Sequence, residues 1–211
     1  MNLYKELQEK LSEHNPTEVD ELILDDIFEN VAQFTESNKK DLEKYTNLIH
    51  LSLNGFGLES LKNFPTLPSL QVLELRANKL TGSDFASIVS HFPELYKLKV
   101  GENPIKSLDV FKALKDSSLR KIELQGTAAA EKKGYREDLF KIIASLEVVD
   151  SLSKEGDEVS TTNYDDGDED ELDDVEDDEE FDEEQDARNA DDQRMRQRLK
   201  IAGQRDHAQA A

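Results

Sequence analysis

Metal ligation, nucleotide binding and acid–base catalysis each need histidines, carboxylates or glycines at fixed spacings, and those spacings are largely missing. Four histidines, His14, His50, His91 and His207, fall on unrelated segments, and the chain has no cysteine. Without an HExxH or a paired His/Cys spacing, no metal site is expected. Asp166, Asp168 and Asp170 alternate as a calcium loop opens, but Glu171 stands where that loop needs glycine for its sharp turn. Only the weak, diffuse cation binding of a polyanion is expected there. Gly55 and Gly57 form a GxG, yet Ser60 takes the place of the third glycine and no GxxxxGK occurs. No serine, histidine and aspartate set is singled out by spacing. The expectation is a non-enzymatic chain with no cofactor.

The chemistry the sequence does carry is charge. Its 26 basic and 48 acidic side chains give a net −22, and the excess is concentrated. Residues 1–155 hold 20 bases and 26 acids, residues 156–186 hold no base and 19 acids, and residues 187–211 hold 6 bases and 3 acids. The candidate binding element is the densest stretch of that middle segment: Asp165, Asp166, Asp168, Glu169, Asp170, Glu171, Asp173, Asp174, Glu176, Asp177, Asp178, Glu179, Glu180, Asp182, Glu183 and Glu184. Four isolated apolar or aromatic residues, Tyr164, Leu172, Val175 and Phe181, cannot offset its ordering entropy and self-repulsion, so it reads as a disordered acidic tail. Such a polyanion attracts basic proteins and is repelled by duplex DNA and anionic lipid. Thr162 lies three residues before Asp165, the spacing an acid-directed kinase prefers, and is the candidate phosphorylation site. Arg188, Arg194, Arg196, Arg198, Lys200 and Arg205 make the last segment basic, and a short helix around DDQRMRQRLKIA would be marginal on its own. Import signal, nucleic-acid contact and counterion to the acidic run are the readings of that segment, the first and last favoured equally.

What must position these charges is a repeat. LIHLSLNGF from Leu48, LQVLELRAN from Leu70, LYKLKVGEN from Leu95 and LRKIELQGT from Leu119 share apolar residues at the first, fourth and sixth places, with starts 22, 25 and 24 residues apart. That is leucine-rich-repeat spacing, a short strand with inward leucines followed by an asparagine that satisfies backbone groups at the turn. Asn78 and Asn103 hold the asparagine place, while Phe56 and Thr127 replace it, so those two turns need other partners. An irregular unit precedes the set at Val19 and a degenerate one follows at Leu146. The expected fold is an α/β leucine-rich-repeat solenoid, curved, with a parallel concave sheet and helical caps, followed by the disordered tail. Expected domains are 1–152 for the repeats, 153–186 for the acidic tail and 187–211 for the basic segment.

Stacked repeats need covered ends. Leu3, Leu7 and Leu11 recur every four residues as a front cap, and Tyr135, Leu139, Phe140, Ile142 and Ile143 offer a back cap. Between repeats, TGSDFASIVSHF reads as a helix started by Ser83 or Asp84, with Phe85, Ile88, Val89 and Phe92 facing the strands. On the concave face, strand residues between the inward leucines include His50, Ser52 and Asn54, then Val72. In-register stacking makes Glu74, Arg76, Lys97, Lys99, Lys121 and Glu123 the candidate binding face, a basic patch amid a few carboxylates. Its expected ligand is an acidic segment of a partner or of the chain itself. No stretch of about 18 apolar residues occurs, so no membrane span is expected, and charges throughout the first fifteen residues argue against a signal peptide. Absent cysteines make an intracellular address the default.

The entry HNPTEVDELILDD (14–26), the middle ANKLTGSDFASIVSHFPELYKLKVGENPIKSLDVFKALK (77–115), the cap YREDLFKIIASLEVVD (135–150) and the acidic run resemble, in that order, the acidic leucine-rich nuclear phosphoprotein 32 family. The resemblance covers roughly residues 12–186. It implies a nuclear protein, shuttling to the cytoplasm in some cases, with histone chaperone activity: the acidic tail binds histones and other basic proteins and masks histone tails from acetyltransferases. In some members it also implies inhibition of protein phosphatase 2A through the repeat domain. The cap motif is shared with the A-prime protein of a spliceosomal ribonucleoprotein, which makes a spliceosomal leucine-rich scaffold the third reading. Against the family pattern, the acidic run is short, AAAEKKG replaces a more regular loop, and the basic segment lacks a compact lysine-arginine cluster.

Overall fold

The computed structural model describes residues 15–25, 32–159 and 199–200. The front-cap leucines Leu3, Leu7 and Leu11, the phosphorylation candidate Thr162 and the acidic run from Asp165 to Glu184 lie outside the described residues.

Each repeat contributes one three-residue strand: β1 (Glu21–Ile23), β2 (His50–Ser52), β3 (Val72–Glu74), β4 (Lys97–Lys99) and β5 (Lys121–Glu123). The shorter β6 (Val148–Val149), β7 (Leu152–Ser153) and β8 (Leu199–Lys200) complete an open sheet ordered β7-β6-β5-β4-β3-β2-β1-β8. All pairings are parallel except the β6–β7 hairpin. The register stacks Leu22, Leu51, Leu73, Leu98, Ile122 and Val149 in one row, every one at most 1% exposed. Val19, Leu22 and Leu24 are all buried, so the unit that looks irregular in sequence fills the same first, fourth and sixth places as its neighbours.

Behind the sheet, phenylalanines interlock between repeats. Phe34 stacks on Phe64 at 5.0 Å and meets Phe56 edge-on at 5.8 Å, and Phe64 meets Phe92 edge-on at 5.9 Å. Phe56 therefore uses the asparagine place for core packing. The carbonyl of Leu53 in that unit is satisfied instead by Asn78 of the next, whose amide also reaches the carbonyls of Leu75 and Arg76. Asn103 repeats the pattern one repeat on, donating to Leu75, Val100 and Gly101. Each asparagine thus serves its own turn and the carbonyl of the turn before it, which is why Phe56 is tolerated in the unit that precedes Asn78.

Helix α1 (Glu36–Leu42) starts with a capping box, Thr35 and Asn38 each closing on the other's backbone. Helix α2 (Ala86–His91) differs from the sequence expectation at its start: Phe85 is the N-cap residue and no side chain caps it. Asp84 faces away, accepting from the Ser60 hydroxyl and the Leu61 amide of the preceding repeat. Those bonds hold its carboxyl below the usual range, the Ser60 bond being the largest cause. A 3-10 helix (Leu108–Leu114), capped by Ser107, and helix α3 (Tyr135–Ile142) complete the convex side.

The back edge is closed by a tight hairpin. Asp150 and Ser151 form its two-residue turn with φ of 48° and 67°, the positive-φ pair that matches strand twist. The Asp150 carboxylate accepts from the Leu124 and Gln125 amides at 2.6 and 3.2 Å and from the Tyr135 hydroxyl at 2.7 Å. Burial, then the bond to Asp150, pushes the Tyr135 phenol up to about 12. The fold continues past residue 152 through β7 to Val159, whose amide bonds to the Ser151 carbonyl. Lys154 of the same segment lies 5.7 Å from the Phe140 ring centroid.

Candidate interaction surface on the concave sheet face

Because side chains alternate along each strand, the residues between the inward leucines form rows across the sheet. One row runs Glu21, His50, Val72, Lys97, Lys121 and Val148, and the next runs Ile23, Ser52, Glu74, Lys99 and Glu123. The sequence-predicted residues Glu74, Lys97, Lys99, Lys121 and Glu123 are therefore brought together on β3, β4 and β5. Arg76 lies just beyond β3, at the exposed rim.

Their charges are largely paired with one another. Lys99 Nζ sits 3.0 Å from Glu74 Oε1 and 4.0 Å from Glu123 Oε1, and Lys97 Nζ is 3.8 Å from Glu123 Oε1. Arg76 donates to Glu102 across the next turn at 2.7 Å. In place of the basic patch read from the sequence there is an alternating lattice of ammonium and carboxylate groups. Lys97 is 1% exposed, and burial, reinforced by Lys99, lowers its pKa despite Glu123 and Glu74.

The lattice extends toward the front through groups the sequence reading left unassigned. His50 faces Glu21 Oε1 with Nδ1 at 2.9 Å and Glu74 Oε1 with Nε2 at 3.1 Å. An imidazolium donates to both carboxylates, a neutral ring to one. Burial would raise the Glu74 pKa, but bonds from His50, Lys99 and Asn54 and the charge of Lys99 outweigh it and bring it to about 2. Asp25 accepts from the Ser52 hydroxyl at 2.6 Å and from the Asn54 amide N–H at 2.8 Å. Glu21 was findable: aligning VDELILDD on its three buried apolar residues puts Glu21 opposite His50. Among the described residues no cluster of three histidines or carboxylates is arranged to hold a metal, and no helix is long and apolar enough to cross a membrane.

A row of short parallel strands bearing a polar floor, backed by a leucine and phenylalanine core, defines a leucine-rich-repeat interaction platform. Among solved structures, the Drosophila melanogaster SNF/U2A' complex contains a similar chain, with TM-score 0.54 and 22% identity over 64% of this chain and 74% of that one. That likeness establishes the fold. No family model matches the sequence, but relatives do. Acidic leucine-rich nuclear phosphoprotein 32-related protein 1 of Caenorhabditis elegans is 32% identical over 165 residues, 76% of this chain and 69% of that protein. The related protein of Plasmodium falciparum is 32% identical over 154 residues, 72% of this chain and 54% of the relative. Family member A of Drosophila melanogaster is 34% identical over 124 residues, 58% and 47% of the respective chains. The chain belongs to the acidic leucine-rich nuclear phosphoprotein 32 family. It spans about half the length of the Plasmodium and Drosophila relatives.

Proposed function

We propose that this chain is a non-enzymatic nuclear protein that binds histones, with the acidic run as the attracting element and the repeat platform giving orientation. The observation that carries the reading is the charge distribution: residues 156–186 hold 19 acids and no base, beside a domain close to neutral for its size. A carboxylate every one or two residues competes with DNA phosphates for histone lysines and arginines, and a polyanion of this density can adapt to several basic surfaces. The nuclear address rests on the relatives, which are named nuclear phosphoproteins. Phosphorylation at Thr162 would extend the negative run toward the domain. The paired lattice of Glu74, Lys97, Lys99 and Glu123 favours assigning attraction to the run and selectivity to the face, because a buried lattice repels a partner that cannot replace its bonds.

The test neutralises the acids from Asp165 to Glu184 to asparagine and glutamine in the full chain. Core-histone binding at physiological salt should fall to the level of the isolated domain, with an unchanged melting temperature. Binding by the native chain should weaken steadily as ionic strength rises, since screening acts over about 8 Å near physiological salt. Undiminished histone affinity after neutralisation would assign binding to the platform instead.

A further inference from the structure

The front edge of the sheet carries an observation that the histone reading does not use. β1 is paired on its outer side with β8, in parallel register, Leu22 opposite Leu199 and Ile23 opposite Lys200. The carbonyl of Asp20 and the amide of Leu24 bond inward to β2. By strand alternation, Glu21 and Ile23 turn their peptide groups to the outer edge. An edge strand of this kind presents a row of donors and acceptors that any extended segment can complete.

We propose that the outer edge of β1 is a strand-addition site whose occupant is the chain's own basic C-terminal segment, docked in cis. Charge selects the occupant. The stretch from Thr17 to Asp26 carries Glu18, Asp20, Glu21, Asp25 and Asp26 and no base, whereas Arg194 to Lys200 carries Arg194, Arg196, Arg198 and Lys200 and no acid. Glu18 is exposed and Asp20 half-buried beside the strand, so part of this negative field faces solvent. The acidic run is repelled by the same field, so of the segments beyond Val159 only the basic one complements this edge. The site is short, two residues of parallel pairing, which makes occupancy reversible and open to displacement by another basic extended segment. It also gives the C-terminal segment a role on the domain, distinct from import signal or counterion.

Backbone amide exchange in the full chain tests this directly. The Ile23 amide should exchange about tenfold or more slowly in the native chain than in a variant carrying Leu199→Pro and Lys200→Pro: Leu199→Pro removes the N–H that faces the Glu21 carbonyl, the two ring constraints break so short a strand, and the Ile23 amide then loses its acceptor as the edge opens. Leu24, bonded inward to Ser52, is the internal reference and should not change. Protection of Ile23 should be independent of protein concentration. Reversing Arg194, Arg196 and Arg198 to glutamate, which leaves the backbone donors in place, should cost most of the same protection. Equal Ile23 exchange in native and proline variants would overturn the proposal. Protection that rises with protein concentration would also overturn it, by assigning the occupant to a second copy. Full protection in the glutamate variant would remove charge as the selector. None of these readouts involves histones, so the outcome is separate from that of the histone-binding test.

Discussion

The two ends of the repeat stack are finished in opposite ways. At the back, β6 turns on Asp150 and Ser151 into an antiparallel β7, and a buried carboxylate gathers two backbone amides and a tyrosine hydroxyl. At the front, among the described residues, the outer side of β1 meets only a two-residue parallel partner, and the buried polar groups include a histidine between two glutamates. A hairpin is local in sequence and loses little chain entropy on closing, whereas β8 must return from a distant part of the chain. The back is therefore built to persist and the front to open. The middle of the stack belongs to neither, and Leu98 on β4, fully buried, sets the scale for breaking both. Leu98→Ala should destabilise the domain by about 2–5 kcal/mol, the range for a leucine deleted from a tight core. Denaturant melts that show a loss under about 0.5 kcal/mol, within the range of a surface change, would mean that the ends fold without a common core.

Asp150→Ala attacks the back alone. It leaves the Leu124 and Gln125 amides and the Tyr135 hydroxyl to find other partners, and unsatisfied buried groups cost about 1–3 kcal/mol each before relaxation. Nearby water and shifts of the hairpin will recover part of this, so the expected loss is about 2–4 kcal/mol. Amide exchange should quicken first at β5 and β6. A loss shared equally by β1 and β2 would show that the two ends are one cooperative unit, erasing the distinction.

Much of this was legible in the sequence. The inward residues follow from apolar spacing alone, because burial in a stacked strand depends on residue type at one place in the unit. The concave rows also follow, since in-register stacking fixes which residues are neighbours. The sign of the face did not follow. Counting Arg76, Lys97, Lys99 and Lys121 as a patch ignores side-chain reach: Glu74 and Glu123 flank Lys99 in its own row and lie one row from Lys97, close enough for both ammonium groups to turn toward them. The Asp84 role was missed for a related reason. A residue of cap type before a helix has a local partner by default, and only the neighbouring repeat supplies the Ser60 hydroxyl that competes for it. The basic C-terminal stretch shows the limit of local reading. The stretch DDQRMRQRLKIA reads locally as a short helix, while Leu199 and Lys200 pair as a strand with β1, a contact no local pattern encodes.

The front lattice should be the acid-sensitive end. Glu74 has its pKa lowered to about 2 by its folded surroundings, against about 4.3 in an unfolded chain. Its ionised form is favoured in the fold, so the contribution is complete above about pH 5 and disappears as pH falls toward 2. The full contribution is at most about 3 kcal/mol, since each tenfold change in proton affinity between the unfolded and folded chain corresponds to about 1.4 kcal/mol. The stability difference between the native chain and Glu74→Gln should therefore be largest near neutral pH and vanish near pH 2, measured by denaturant melts across that range. A difference that does not vary with pH would remove Glu74 as the linchpin of β2, β3 and β4.

The smallest expected effect lies at the rim, and it separates stability from recognition. Arg76 and Glu102 form a 2.7 Å ion pair, but their side chains are 41% and 53% exposed. Pairs that solvent reaches this freely contribute little, because water screens the attraction and two long side chains lose rotamer freedom to hold it. Arg76→Ala should change stability by no more than about 0.5 kcal/mol. The guanidinium is nevertheless the concave cation held least deeply among Arg76, Lys97 and Lys99, and a partner carboxylate can take over its bond without unpacking the floor. Removing it should leave melting unaltered while weakening any acidic peptide that docks on this face and flattening the salt dependence of that binding. The matching change Lys97→Ala should behave in reverse, costing stability through lost burial and leaving such binding to Arg76. A melting loss at Arg76 equal to that at Lys97 would show that the rim is part of the buried lattice, and that the face has no layer reserved for partners.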